Sequence, residues 1–243
     1  MELKAPERVT WTTSGFCPGC GHGIAFRLIS EVMEEMGLSD KLLLTVDVAC
    51  CSLAIECVRF DTIMCAHGRG IASAIGAKKV RPENAVAAYL GDGAAYSIGM
   101  AETMHAAIRN DNVVVITINN SLYGMTGGQM APTTLIGMKT ATCPYGRDAA
   151  LHGYPLKMAD IAAGLEGTCF VTRQSVHNVP SILKAKKAIR KAFDYSMQGR
   201  GSSLVEIVAA CSTNWKMTPE KANKWMEENM IPVYPLGDLK DNG

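Results

Sequence analysis

The sequence lacks a long hydrophobic run, an excess of either charge and a large share of charged residues. Its 243 residues carry a formal net charge of +1. This charge does not indicate a protein that binds nucleic acid or a membrane surface by electrostatic attraction. No apolar run approaches the roughly 20 residues that span a bilayer, and residues 1–16 lack the apolar segment of a signal peptide. We therefore expect a cytoplasmic protein. Charged residues make up 19% of the chain, below the roughly 25% of typical soluble domains, which favours a surface partly covered by other subunits.

Cysteine, by contrast, is abundant, with nine residues in the chain. An odd number of cysteines without a signal sequence argues against the disulfide framework of an exported protein. Thiols in a reducing compartment are more typical of metal or cluster ligands. The composition therefore predicts a thiolate site.

Apolar periodicity predicts helices and strands that alternate along the chain, with no internal repeat, low-complexity tract or linker. The β-branched run at residues 113–118 is typical of a strand buried on both faces. The other predicted strands are 42–46, 85–90, 169–172 and 204–208, and the predicted helices are 23–36, 70–79, 98–110, 180–197 and one that begins at Thr218-Pro219. This pattern predicts one α/β domain, residues 1–243, with a doubly wound, mostly parallel sheet and helices on both faces.

Residues with unusual chemistry follow the ends of the predicted strands. They are Cys50-Cys51, Gly91-Asp92-Gly93, Asn119-Asn120 and Cys211. Parallel sheets bind ligands just beyond the carboxyl ends of their strands. We therefore expect one site along this edge of the sheet.

A glycine turn around Asp92 and an asparagine at the end of the next strand form a candidate cation site. Gly91 and Gly93 allow backbone N–H groups to approach phosphate oxygens. The Asp92 carboxylate and the Asn120 amide oxygen, completed by phosphates and water, suit Mg²⁺. Each motif alone is compatible with an ordinary turn, and their combination favours a cofactor site.

This pair of motifs resembles the diphosphate-binding domain of thiamine-diphosphate enzymes. The resemblance implies that Asp92, the Asn120 side chain and the Leu122 carbonyl hold Mg²⁺. It also implies that Gly91 and Gly93 contact the diphosphate.

Cys17 and Cys20 stand two residues apart, immediately before the first predicted helix. A thioredoxin-type dithiol would need a preceding apolar strand, and residues 11–15 make a poor one. A Cys₄ zinc site, with Cys51 and Cys211 as the remaining ligands, is a better alternative. A [4Fe–4S] cluster requires the same four thiolates, so spacing does not separate the two. Beside a thiamine site, a cluster has an electron-accepting role that zinc lacks, which favours the cluster.

The chain resembles the β-type subunit of 2-oxoacid:ferredoxin oxidoreductases. The motifs that carry the resemblance are FCPGCGH, AHGRG, GDG, NNSLYGMTGGQMAPT and a late Cys followed by STN. It covers residues 16–155 well and residues 204–237 moderately. The cluster ligands that it implies are Cys17, Cys20, Cys51 and Cys211, with Cys51 preferred to its neighbour Cys50. The remaining cysteines, Cys57, Cys65, Cys143 and Cys169, are expected to be small core or surface residues.

The same resemblance makes His67 a catalytic residue near the cofactor, although a capping or core histidine is the alternative. Further residues that it assigns to the cofactor pocket are Gly68, Arg69, Gly124 and Thr126.

The resemblance implies a CoA-dependent oxidative decarboxylation of a 2-oxoacid to acyl-CoA and CO₂, with reduction of an external ferredoxin. Residues 128–147 and 213–237 look most like subunits for branched-chain acids such as 2-oxoisovalerate. Leu53 and Ala54 stand where some 2-oxoglutarate enzymes carry a lysine, which weakens, without excluding, that alternative; a pyruvate-type substrate is another.

One predicted domain and ligands for one cluster imply further chains. The partners expected are a pyrimidine-domain (α-type) subunit, a γ-type subunit and a small ferredoxin-like subunit, and the chain alone should be inactive. The competing hypotheses are a non-redox thiamine decarboxylase or carboligase with structural zinc, and a non-catalytic metal-binding assembly subunit.

Overall fold

The computed structural model describes residues 5–10 and 14–242. Its strands are β1 (Leu42–Asp47), β2 (Asp61–Cys65), β3 (Ala85–Gly91), β4 (Val114–Asn119), β5 (Leu122–Tyr123), β6 (Gln129–Met130), β7 (Thr168–Ser175), β8 (Ser202–Val208) and β9 (Gly237–Asp241). Its α-helices are α1 (Gly21–Glu35), α2 (Gly70–Val80), α3 (Met100–Arg109), α4 (Ala149–His152), α5 (Met158–Ala163), α6 (Val179–Met197), α7 (Ser212–Trp215) and α8 (Pro219–Asn229). A 3₁₀-helix spans Cys50–Glu56 and a π-helical turn spans Ala94–Ile98.

Seven strands form one sheet in the order β2-β1-β3-β4-β8-β7-β9. Every pairing within it is parallel except that of β9 with β7. One face packs against α1 and α6, and the other packs against α2, α3 and α5. The central strands β3 and β4 are buried along almost their whole length, as their apolar runs predict. The prediction of a doubly wound, mostly parallel sheet is confirmed.

Two strands at the sheet edges were not predicted from the sequence. β2 and β9 pair with the sheet through one side only. The β9 segment Gly237–Asp241 is mostly polar, so it carries no apolar alternation that would reveal a strand. Both strands are held in place by backbone hydrogen bonds to one neighbouring strand, and their side-chain pattern does not indicate a strand.

Helix α8 begins as predicted, with Thr218 as N-cap and Pro219 in the first turn. The Thr218 side chain accepts a hydrogen bond from the Lys221 N–H. Among the described helices, none combines the length and the hydrophobicity that crossing a bilayer requires.

Candidate functional site

Asp92 is a buried carboxylate at the carboxyl end of β3. Its side chain accepts hydrogen bonds from the Gly93 N–H at 2.9 Å and from the Thr133 hydroxyl. Burial raises the pKa of Asp92 to about 7. No ion pair to Asp92 is present within residues 5–10 and 14–242, so a bound cation would supply its missing positive partner.

Asn120 and Leu122 lie on the turn that follows the neighbouring strand β4. Both line a small cavity together with Asp92. The Leu122 N–H donates to Asn120 Oδ1 at 3.3 Å, and Ser121 between them has a left-handed φ of 60°. A carboxylate, an amide oxygen and a backbone carbonyl are the hard oxygen ligands that Mg²⁺ accepts, so these residues fit the predicted metal.

Tyr123 closes this cavity against the glycine turn. A Cβ added at Gly93 would lie 2.3 Å from the Tyr123 ring, and the Tyr123 hydroxyl donates to the Gly93 carbonyl at 3.1 Å. Only glycine allows this close approach of ring and backbone. The cavity measures about 30 Å³, and its lining also includes Gly91, Gly124, Cys50 and His67.

Asp47, at the end of β1, holds the segment that contains His67. It is fully buried, and its carboxylate lies 2.5 Å from His67 Nδ1 and accepts the Gly68 N–H at 2.7 Å. Gly68 has φ 77°, and a Cβ there would lie 2.6 Å from the Ile98 side chain. The histidine is therefore oriented by an aspartate, an arrangement that leaves Nε2 as the ring nitrogen available to a ligand.

Three residues predicted for the cofactor pocket do not line the cavity around Asp92. Gly68 follows His67 of the lining and donates its N–H to Asp47. Arg69 forms an ion pair with Glu102 of α3 at 2.7 Å. Thr126 bonds Gln129 within the turn between β5 and β6. Neither lines the cavity around Asp92. The structure does not bring Arg69 or Thr126 to this cavity, because each side chain is engaged locally.

Four thiols share one region beside this cavity. Burial raises the pKa of Cys20 to about 12, and the nearby Cys211, Cys50 and Cys17 thiols add to the shift by charge repulsion. Burial likewise raises the pKa of Cys50 to about 11, again with contributions from Cys211 and Cys17. A bound cation would stabilise the thiolate forms of Cys20 and Cys50 against this effect of burial.

Helix α7, which follows β8, connects these thiols to the segment that follows β4. Asn214 Nδ2 donates to the Gly124 carbonyl at 2.9 Å and to Cys211 Sγ at 3.3 Å. The Ser212 hydroxyl donates to the Pro18 carbonyl at 2.8 Å, which ties the N-terminal cysteine loop to the same segment. As they stand, no three Cys, His, Asp or Glu side chains among the described residues are grouped so as to hold a metal ion.

Cys51 does not belong to this group. It is fully buried in the core against α1, and its thiol donates to the Asp47 carbonyl at 3.2 Å. Cys50, the preceding residue of the same 3₁₀-helix, lines the cavity with Asp92. Neighbouring side chains diverge, as expected, but Cys50 is the one that faces the site. The choice of Cys51 from the sequence is therefore not supported by the structure.

The other predicted non-ligand cysteines lie buried, as expected: Cys57, Cys65, Cys143 and Cys169. Asp47 and Thr133 are among the site residues that were missed from the sequence. Asp47 could have been found as an acidic residue that ends an apolar strand, the criterion that identified Asp92. Thr133 lies 41 positions from Asp92 and has no such signal.

Comparisons with known proteins identify the family of the chain. Residues 48–207 match the family described as "Thiamine pyrophosphate enzyme, C-terminal TPP binding domain". The chain is 35% identical over 214 residues to 2-oxoglutarate synthase subunit KorB of Archaeoglobus fulgidus, covering 88% of this chain and 76% of that protein. The chain belongs to the thiamine-diphosphate-binding subunits of the 2-oxoacid:ferredoxin oxidoreductase family.

Other relatives of this oxidoreductase subunit differ in length. Ketoisovalerate oxidoreductase subunit VorA of Methanothermobacter marburgensis is 39% identical over 230 residues, which are 95% of this chain and 48% of that protein. The chain thus spans about half the length of this relative. The solved 2-oxoglutarate:ferredoxin oxidoreductase from Magnetococcus marinus shares the fold, with a TM-score of 0.80 and 22% identity, over 99% of this chain and 86% of that one.

Proposed function

We propose that this oxidoreductase subunit, in complex with partner chains, catalyses the CoA-dependent oxidative decarboxylation of a 2-oxoacid to acyl-CoA and CO₂ and reduces ferredoxin. The observation that carries the proposal is one cavity that joins the two predicted sites. Cys50 of the thiol group lines the same cavity as Asp92 and Asn120. The charge of Asp92 also contributes to the raised pKa values of Cys50 and Cys211, after burial. This adjacency is what electron transfer from a cofactor to a cluster requires.

Asp92, Asn120 and the Leu122 carbonyl would hold Mg²⁺, and Gly91 and Gly93 would bind the diphosphate. The fit rests on the buried carboxylate, which has a raised pKa and no cationic partner among the described residues. When bound, thiamine diphosphate supplies a thiazolium nucleophile and an electron sink for decarboxylation. The protein's contribution is to bind the diphosphate at the edge of the sheet and to exclude water with the Tyr123 ring.

Cys17, Cys20, Cys50 and Cys211 would hold one [4Fe–4S] cluster. Their fit rests on the charge interactions that link the four thiols, with Cys17 exposed and the other three half-buried. When bound, the cluster supplies a one-electron acceptor. The hydrogen bond from Asn214 to Cys211 Sγ would orient Cys211 and stabilise its thiolate as a cluster ligand.

His67 would act as a proton carrier at Nε2. Its Nδ1 lies 2.5 Å from the Asp47 carboxylate, which fixes the ring orientation and the tautomer. The ring lies edge-on to Tyr123, with centroids 6.3 Å apart, at the boundary of the cavity. This geometry supports a catalytic role rather than a purely structural one.

Partner chains are proposed from an exposed apolar rim around the His67 segment. The rim comprises Val48, Ile63, Met64, Ile98 and Met100, all of them exposed large hydrophobic residues. Exposed apolar residues grouped around one segment are typical of interaction sites. We propose that the pyrimidine-domain (α-type) subunit covers this rim, because Ile98 of the rim packs against Gly68, the residue after His67 of the cavity lining. The γ-type subunit, the small ferredoxin-like subunit and external ferredoxin complete the proposed system.

The proposed substrate is a branched-chain 2-oxoacid such as 2-oxoisovalerate. The similarity to a ketoisovalerate oxidoreductase subunit supports this assignment. The similarity to KorB proteins makes 2-oxoglutarate the second candidate. Leu53, an apolar residue one turn after Cys50 in the 3₁₀-helix, agrees better with the branched-chain acid.

The test is anaerobic purification of the native complex, followed by measurement of iron, acid-labile sulfide and thiamine. Ferredoxin reduction is then assayed with CoA and with 2-oxoisovalerate, pyruvate or 2-oxoglutarate. We expect a brown complex with the highest kcat/KM for 2-oxoisovalerate. A colourless complex without sulfide that still decarboxylates would instead favour the non-redox thiamine enzyme with structural zinc.

A further inference from the structure

A buried charge pair contacts the last residue of β4, directly before the turn that carries Asn120 and Leu122. Arg173 of β7 and Glu206 of β8 are both fully buried, and Arg173 Nε donates to Glu206 Oε2 at 2.6 Å. Arg173 also donates to Asp160 of α5 at 2.5 Å. The free energy needed to remove two charges from water is often larger than the free energy gained from their attraction. A buried ion pair is therefore weak evidence of stabilisation. Another role is therefore expected for Glu206.

The second oxygen of Glu206 connects this pair to the turn. Asn119, the last residue of β4, donates from Nδ2 to Glu206 Oε1 at 2.9 Å. Its Oδ1 accepts the Ser121 N–H at 3.2 Å. Both Glu206 oxygens are thus used, one by Arg173 and one by Asn119.

The chemistry of Glu206 determines how the Asn119 amide is oriented. A carboxylate only accepts hydrogen bonds, so it binds the NH₂ end of the amide and leaves the oxygen for the Ser121 N–H. Ser121 has φ 60°, a left-handed conformation that a residue with a side chain adopts only when its surroundings hold it. The Asn119 oxygen provides such a restraint.

We propose that Glu206 is a positioning residue for the cation site. Through Asn119 it holds Ser121 in the conformation that places Asn120 and Leu122 beside Asp92. Arg173 orients Glu206 and balances its charge. This role rests on the proposed function, since it concerns the residues assigned to Mg²⁺.

Two single substitutions, E206Q and N119D, change which groups donate and which accept hydrogen bonds between Arg173, Glu206 and Asn119, without changing side-chain size. E206Q retains one acceptor and gains an NH₂ group, which must then face either Arg173 or the Asn119 NH₂. N119D retains the acceptor for the Ser121 N–H but opposes two carboxylates. Together, N119D and E206Q restore the order: the new glutamine donates to the new carboxylate and still accepts from Arg173.

The experiment measures thiamine diphosphate binding by calorimetry at several Mg²⁺ concentrations, on the full chain in complex with its partner subunits. We expect each single variant to weaken Mg²⁺-dependent binding about 10- to 100-fold, as loss of a residue that orients a metal ligand does. The double variant should recover most of this loss. D160N is the matched control: it changes the half-exposed second partner of Arg173 and should bind as the wild type does.

Thermal unfolding of the cofactor-free complexes separates positioning from stability. A merely structural role predicts that binding changes only in step with the melting temperature; that result overturns the inference. A double variant that brings no recovery of binding also overturns it. Single variants that bind like the wild type also overturn it. If E206Q does not fold, the comparison of N119D with the double variant gives the same decision. Failure of the wild-type complex to bind would instead refute the proposed function.

Discussion

Replacing each of the two adjacent cysteines by alanine tests the position of the thiol site most directly. Cys50 lines the cavity with Asp92, whereas Cys51 is fully buried in the core and bonded to the Asp47 carbonyl. Cys50→Ala therefore removes a proposed ligand, and Cys51→Ala removes only core packing. The two substitutions are chemically identical and one residue apart, so each is the control for the other.

We expect Cys51→Ala to lower stability and Cys50→Ala to lower iron content. Cys51→Ala deletes one buried sulfur, and we expect it to lower the free energy of unfolding by about 1–2 kcal/mol through lost burial and a small cavity. Iron should remain at about four atoms per chain, the content of one cubane cluster. Cys50→Ala, at a half-buried position, should change unfolding of the metal-free chain by less than about 1 kcal/mol. Its iron content should fall below about two atoms per chain.

The assay combines iron and acid-labile sulfide analysis of anaerobically purified complexes with the visible absorbance of the cluster. Denaturant unfolding of the metal-free chain supplies the stability comparison. Loss of iron in Cys51→Ala, with a normal content in Cys50→Ala, would refute the assignment. If both variants retain the same iron content as the wild type, neither Cys50 nor Cys51 is a cluster ligand.

Three further predictions concern a glycine of the site and two buried charged side chains, Asp111 and Arg147. Gly93→Ala should destabilise the chain by about 1–3 kcal/mol in thermal unfolding because its Cβ would meet the Tyr123 ring. Gly91→Ala, with nothing within 4 Å of the added Cβ, is the control, and equal effects would contradict the packing. Burial alone would raise the pKa of Asp111, but its ion pairs with a guanidinium and an ammonium lower it overall. That stabilisation is present above the unfolded pKa of about 3.9 and is lost as the pH falls through the lower folded pKa. Asp111→Asn should therefore cost about 1–3 kcal/mol at pH 7, with the difference from wild type vanishing in acid; a constant difference down to pH 2 would argue otherwise. Arg147 donates to six backbone carbonyls, and Arg147→Met should cost at least about 3 kcal/mol and speed amide exchange in residues 131–154. Unchanged exchange there would show that the loop does not depend on this side chain.

The local pattern of the sequence was sufficient for most of the fold. The run at residues 113–118 became the central strand β4, and the Thr218-Pro219 signal began a helix, because both patterns act within a few residues. Edge strands β2 and β9 were missed because their order comes from pairing with distant strands. Helix 98–110 begins later than predicted, at Met100, after a π-helical turn that no periodicity marks.

The site shows the same division. Asp92 and Asn120 were predicted because each follows a strand, and parallel strands end at one edge. The choice between Cys50 and Cys51 was not available from spacing, since it depends on which side chain the 3₁₀-helix turns into the core. Arg69 and Thr126 looked suitable by motif, but Glu102 and Gln129 engage them in the folded chain.

The sequence alone determined the alternation of strands and helices, the sheet edge at which the reactive residues gather and the donor types available there. Those properties follow from chemistry and periodicity within short stretches of chain. Only the tertiary structure decided which donors meet. Asp47 joins His67, Thr133 joins Asp92 and Glu206 joins Asn119, and each contact spans a separation in sequence that local pattern cannot reach.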